Sequence, residues 1–224
     1  MVDVKPLIAI VDFGLGNLYS IKQACAFVGL NAVITSSKKD LLNSDAVILP
    51  GVGAFGEAMA ALHRLDLVSV LKDIGFSDKP LVGICLGVQL LMTEGFEFGR
   101  HKGLGIIDGD VIRIDCPKEG SHVLKVPQIG WNRIYRPNDG TTWDNTLLEG
   151  IPENTYMYFI HSFIVKPQDL GVILSISRYG HIEFCSSIKY RNVFACQFHP
   201  ERSGTRGLEI YSCLAERLKK PRMF

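Results

Sequence analysis

The chain has 224 residues and a nearly balanced charge, 24 basic against 23 acidic. That length suits one sizeable domain with a full hydrophobic core, and no strong field calls for nucleic acid or a membrane surface. No apolar run approaches the roughly 18 residues of a membrane span, and the amino terminus lacks the charged-then-apolar pattern of a secretory leader, so a cytoplasmic protein is expected.

The six cysteines, at 25, 85, 116, 185, 196 and 213, lack metal-ligand spacing, and five of them read as packing thiols. No metal and no cofactor is expected. Residues 7–11 are a continuous apolar run that reads as a buried strand ending at Asp12-Phe13-Gly14-Leu15-Gly16-Asn17. A phosphate-binding loop would need a third glycine and an acidic partner about 20 residues on, and this segment has neither. Asn17 is expected instead to cap a helix with Leu18, Ile21, Cys25 and Val28 on one face and Gly29 as its stop. Residues 32–35 and 46–49 read as further strands, the second closing on Pro50-Gly51-Val52-Gly53-Ala54-Phe55-Gly56. The glycines around Val52 make either an ordinary turn or a peptide that presents its amide at the carboxyl end of the sheet, where open parallel sheets place their sites. Residues 57–62 and 66–74 read as helical pieces.

The chemistry gathers in residues 79–92. Residues 80–84 resemble a buried parallel strand, residues 86–92 read as helix, and Cys85 stands at the joint, between Gly83 and Gly87. A free cysteine in an apolar strand is ordinarily a packing residue. The glycine bracket points elsewhere, to a sharp strand-to-helix turn that lifts the thiol out of the core. Such a turn aims the first free amides, beginning with Leu86, and the positive helix end at whatever the sulfur attacks.

From residue 94 the character changes. Residues 94–102 read as a polar loop, followed by strand-like runs at 105–107, 111–114, 122–126, 130–135, 156–160, 172–177 and 182–188. Turn signals at Asp108-Gly109, Asn138-Asp139-Gly140 and Tyr179-Gly180-His181 part them. Residues 193–196 read as a last strand before Gln197-Phe198-His199-Pro200-Glu201. Residues 205–218 read as an amphipathic helix with Leu208, Tyr211, Ala215 and Leu218 inward and Glu216, Lys219 and Lys220 solvated. The fold expected is α/β, a mostly parallel sheet with helices on both faces and an additional β-rich layer, in a single domain over residues 1–224.

Three segments together, Leu49-Pro50-Gly51-Val52-Gly53-Ala54-Phe55, Gly83-Ile84-Cys85-Leu86-Gly87-Val88-Gln89-Leu90-Leu91 and Gln197-Phe198-His199-Pro200-Glu201, resemble the signatures of triad-type (class I) glutamine amidotransferases. Asp12-Phe13-Gly14-Leu15-Gly16-Asn17, Lys125-Val126-Pro127 with Gly130-Trp131-Asn132, Tyr158-Phe159-Ile160-His161-Ser162 and Arg202-Ser203-Gly204 further resemble the glutaminase subunits of imidazole glycerol phosphate synthases, over essentially the whole chain. The resemblance implies a flavodoxin-like fold. It makes Cys85 the nucleophile, His199 the general base and later acid, and Glu201 the carboxylate that orients the imidazole. L-glutamine would be hydrolysed to L-glutamate and ammonia through a glutamyl thioester, with the ammonia passed to a synthase (cyclase) subunit in a heterodimer. The backbone amides of Val52 and Leu86 would be the oxyanion donors, the Val52 peptide being free to rotate and set by the partner. Gly53, Gln89, Glu97 and Ser162 would contact the substrate, and Asn17, Tyr158 and Arg202 fall where the docking face lies.

Two positions depart from the family pattern: Gln128-Ile129 stands where members usually carry His-Met, and Arg202 where many carry Lys. Both bear on the partner, because related glutaminases feed other acceptors, such as sugar amidation in surface-polysaccharide synthesis. A thiol peptidase on a similar sheet is another reading, one that leaves Gln89 without a role. A catalytically silent scaffold is a third, and it leaves the three triad residues unexplained.

Overall fold

The computed structural model describes residues 5–137 and 140–219. Seven strands form the central sheet, in spatial order Ile173–Tyr179, Ile182–Tyr190, Val193–Cys196, Leu81–Ile84, Ala46–Leu49, Leu7–Val11 and Asn31–Thr35. The last five are parallel, and the first two run antiparallel along one edge. Every residue of Ala46–Leu49, Leu81–Ile84 and Val193–Cys196 is buried, as a parallel sheet covered on both faces requires. Alternation along the strand assigns the faces. Ala9 and Val11 pack with the helices Phe55–Arg64 and Val68–Gly75, whereas Ile8 and Ile10 pack with Leu18–Phe27 and Gly204–Lys219. Taken in chain order the parallel strands stand 2-1-3-4-5, the flavodoxin-like arrangement, whose site lies outside the carboxyl ends of the strands.

The added β-layer consists of a four-stranded sheet, Phe163–Pro167, Ile107–Arg113, Met92–Gly95 and His101–Lys102, and an antiparallel ribbon of Gln128–Arg133 with Tyr156–His161. Here the sequence reading needs correction. The helix after Cys85 covers Leu86–Leu90 and stops short of Met92. Its terminal carbonyls are claimed from outside: the Leu104 N–H bonds to Leu90 O at 2.8 Å, and the Ile106 and Ile107 N–H groups bond to Leu91 O at 3.0 Å. The chain therefore leaves as strand, with Glu94 opposite Lys102, and the polar loop expected over residues 94–102 is partly β-structure. The turn expected at Asp108-Gly109 lies inside Ile107–Arg113. Gly109 is there for close approach, since a Cβ on it would stand 2.6 Å from the Lys166 carbonyl oxygen of the neighbouring strand.

The strand Phe163–Pro167 was not expected, and the run over residues 122–126 shrinks to His122–Val123. Asn17 makes no side-chain cap hydrogen bond; Leu18–Phe27 forms because Ile21, Ala24 and Cys25 bury one face. The Asn138-Asp139 turn and Lys220 lie outside the described residues. No helix among the described residues is long and apolar enough to cross a membrane.

Candidate active site

The strand Leu81–Ile84 delivers Cys85 to the carboxyl edge of the sheet, where its N–H bonds to the Cys196 carbonyl at 2.8 Å. Cys85 has φ 55° and ψ −110°. That conformation lies outside the left-handed well and stores on the order of 1–3 kcal/mol, held only by surrounding structure. The bracketing glycines supply the hold through close approach, not through unusual dihedrals. A Cβ on Gly87 would stand 1.9 Å from Leu49 O, and one on Gly83 would stand 3.0 Å from Ala195 Cβ. With five residues the following helix has little macrodipole, so its first amide is the electrostatic feature that counts.

His199 and Glu201 arrive from the end of Val193–Cys196. Glu201 sits in the 3-10 turn Pro200–Arg202, which His199 precedes in extended conformation. The turn is held tightly: the Ser203 hydroxyl donates to His199 O at 2.6 Å and accepts the Tyr158 N–H at 3.0 Å, and the His199 N–H bonds to Tyr158 O at 2.9 Å. His199 Nδ1 lies 2.8 Å from Glu201 Oε1, with both side chains buried. Glu201 Oε2 and His199 Nε2 have no hydrogen-bond partner among the described residues. A buried carboxylate with one unmatched oxygen is stabilised chiefly by a positive imidazole beside it. Burial works against a charged His199, but the Cys85 sulfur and the Glu201 carboxylate beside it outweigh that and hold the imidazole up at about 10.

A cavity of about 240 Å³ opens over the sulfur, lined among others by Val52, Gly53, Gln89, Glu97, His161 and Ser162. All four residues expected to contact the substrate thus line one cavity with Cys85. The Cys85 thiol lies 3.7 Å from the Ile160 carbonyl, to which it donates. Gln89 is turned inward, its amide nitrogen bonded to Phe163 O at 3.2 Å and Gln197 Oε1 at 3.0 Å, which leaves its oxygen for a substrate N–H. Glu97 Oε2 accepts the Phe55 N–H at 2.7 Å, capping the helix Phe55–Arg64, so one carboxylate oxygen is already committed. Gly53 has φ 103°, and that dihedral rather than lack of space explains its glycine. The two expected oxyanion donors are not both presented. The Leu86 N–H is taken by the Gly51 carbonyl at 3.4 Å, and in a trans peptide the Val52 N–H then points away from the site.

A family model, described as glutamine amidotransferase class-I, matches residues 9–212. The chain belongs to the class-I glutamine amidotransferase family. This amidotransferase is 42% identical to the imidazole glycerol phosphate synthase subunit HisH of Rhodopirellula baltica, over 91% of the chain and 94% of that protein. It is 40% identical to the subunit of the same name from Aquifex aeolicus, over 94% and 97%, and 37% identical to subunit HisH 1 of Legionella pneumophila, over 91% and 95%. Among solved structures, PurLQS of Thermotoga maritima superposes with a TM-score of 0.72 at 18% identity, covering 96% of the chain and 100% of that one. A further glutamine amidotransferase superposes at 0.69 and 18%, covering 93% and 97%.

The amidotransferase presents one face of its β-ribbon to solvent. Cross-strand register pairs Ile129 with Ile160, Trp131 with Tyr158 and Arg133 with Tyr156 on that face, and Gln128 with His161 on the buried one. Arg202 stacks its guanidinium 5.0 Å from the Tyr158 ring centre, and the helix that Asn17 precedes packs against the turn carrying Arg202. The three expected docking residues therefore border one surface. Gln128, at the departure from the family pattern, is buried, with Oε1 3.1 Å from His161 Nε2. Ile160, His161 and Gln197 fall within the resembling motifs yet carried no expected role. Alternation in the strand Tyr156–His161 could have placed His161 inward; nothing in residue type could have shown the Ile160 carbonyl.

Proposed function

We infer that this chain is the glutaminase subunit of an imidazole glycerol phosphate synthase, serving histidine biosynthesis. It hydrolyses L-glutamine to L-glutamate and ammonia and hands the ammonia to a cyclase subunit. The similarity to HisH subunits over nine tenths of the chain supports that acceptor over a sugar amidotransferase. The observation that carries the chemistry is the buried His199–Glu201 pair beside a thiol on a strained elbow, with a cavity over the sulfur. Six free cysteines are consistent with a reducing, cytoplasmic location.

In this reading the Cys85 proton rests on His199 in the reactive state, and the thiolate attacks the side-chain carboxamide carbon. The tetrahedral oxyanion collapses as His199 returns the proton to the departing nitrogen, releasing ammonia and leaving a glutamyl thioester. Water, deprotonated by His199, then attacks the thioester carbon, and a second oxyanion collapses to glutamate and the thiol. Both oxyanions need donors. Turning the Gly51–Val52 peptide over would remove the Gly51 carbonyl from Leu86 N–H and bring in Val52 N–H, giving two donors at once. The resting thiol must also leave Ile160 O for His199. Ile160 lies on the strand whose outer face would meet the partner, so docking is a sensible trigger for both changes.

Treating the purified chain, alone and with its cyclase partner, with a glutamine-analogue electrophile tests this. Adduct at Cys85, formed faster in the complex, is expected; adduct at any other residue overturns the reading.

A further inference from the structure

Behind the cavity runs a buried polar chain for which the thioester chemistry above has no use. Its fixed point is the Phe163 carbonyl, which can only accept. His161 Nδ1 lies 2.9 Å from it and Gln89 Nε2 3.2 Å, so both are donors there. The other amide proton of Gln89 goes to Gln197 Oε1 at 3.0 Å. With its oxygen occupied, Gln197 turns its amide nitrogen to Cys85 Sγ, 3.7 Å away. Each link's polarity follows from the one before, so the orientation of the last amide is determined by a backbone carbonyl. Gln197 is fully buried and Gln89 nearly so, and in such surroundings a fixed N–H dipole acts strongly on a neighbouring charge.

We propose that Gln197 is a further catalytic residue: its side-chain N–H donates to the Cys85 sulfur and stabilises the thiolate, and Gln89 is the positioning residue that keeps that amide turned to the sulfur. This inference rests on Cys85 being the nucleophile. The titratable groups around the sulfur are His199, with Glu201 behind it on the turn, Cys196 at the end of the neighbouring strand, and His161 and Glu97, which line the same cavity. Gln197 adds a neutral donor to that set. It holds charge on the sulfur without giving it a second proton source. Because Gln89 also lines the cavity, a substrate that bonds to Gln89 touches the residue that aims the donor.

The test is the pH profile of Cys85 alkylation by iodoacetamide, followed by peptide mass mapping on the full-length wild type and on Gln197→Met, Gln197→Glu and Gln89→Met. Methionine at 197 keeps the length and removes the donor, and should move the midpoint up by about one pH unit, since a hydrogen bond to a charged group is typically worth that much. It should also lower kcat about tenfold with KM changed by less than about threefold, as befits an interaction with the reacting atom. Glutamate at 197 should move the midpoint further up. Gln89→Met should move it in the same direction by less, and raise KM as well. A folded Gln197→Met protein that alkylates along the wild-type profile overturns the proposal. Should that variant not fold, an unmoved profile in Gln89→Met overturns it instead. Alkylation of the wild type that never maps to Cys85 overturns the nucleophile assignment, a different failure.

Discussion

Val52→Pro separates the two states of the oxyanion site. Proline has no N–H, so it removes the second donor, and its ring also fixes φ at position 52. In the resting geometry the Gly51 carbonyl holds Leu86 N–H at 3.4 Å and the Val52 N–H points away, so partner-free turnover should change by less than about threefold. With the cyclase subunit bound, the missing donor should cost about 3 kcal/mol, or about 150-fold in kcat. Val52 is 42% exposed, so the side-chain change itself should shift stability by no more than about 0.5 kcal/mol. The assay is steady-state glutamate release with and without saturating partner, with melting curves as the folding control. Full retention of partner stimulation in Val52→Pro, or an equal loss in both states, would refute the peptide-turning reasoning.

Other perturbations follow from the same geometry. Glu201→Gln removes the charge that supports the His199 imidazolium, and kcat should fall by roughly 100- to 10,000-fold. His199, held up at about 10 against 6.5 in the unfolded chain, contributes stability that is whole below 6.5 and lost as pH rises toward 10. Urea titrations from pH 6.5 to 10 should therefore show a shallower alkaline loss in the variant. His161 behaves oppositely: burial pushes it down to about 4, so its stabilising neutral form is intact above 6.5 and lost as pH falls through 4. That shift amounts to about 3 kcal/mol, and melting curves of His161→Gln over this window should show a flatter acid limb. Trp131 is 56% exposed, so Trp131→Ala should leave the melting temperature nearly unchanged while weakening cyclase binding by about 2 kcal/mol in titration calorimetry.

The parallel sheet was legible because its strands at 46–49, 81–84 and 193–196 are covered on both faces and so read as unbroken apolar runs. The added layer was legible as a set of strand-like runs, several of which fall on Ile107–Arg113, Gln128–Arg133 and Tyr156–His161, but its pairing was not. Phe163–Pro167 ends in proline and Ile107–Arg113 contains Asp108-Gly109, both of which look like breakers until the opposite strand is in place. Close approach, as at Gly87 and Gly109, is a property of two segments and leaves no mark on one. Cys85 from one motif and His199 with Glu201 from another come to the ends of neighbouring strands, yet their surroundings were hidden. The Gly51 carbonyl on Leu86, the Ile160 carbonyl on the thiol and the inward turn of Gln89 are facts of backbone and rotamer orientation. Glu97 shows the same limit: its residue type suits an ammonium, but one oxygen is spent on the Phe55 N–H.

The most direct measurement is to quench the assembled glutaminase and cyclase with acid during turnover of isotope-labelled glutamine and map the label by peptide mass spectrometry. Label carried as a hydroxylamine-sensitive thioester on Cys85, abolished in His199→Ala, is the expected result. Ammonia produced at the full rate with no label on Cys85, or with label on another residue, would contradict it.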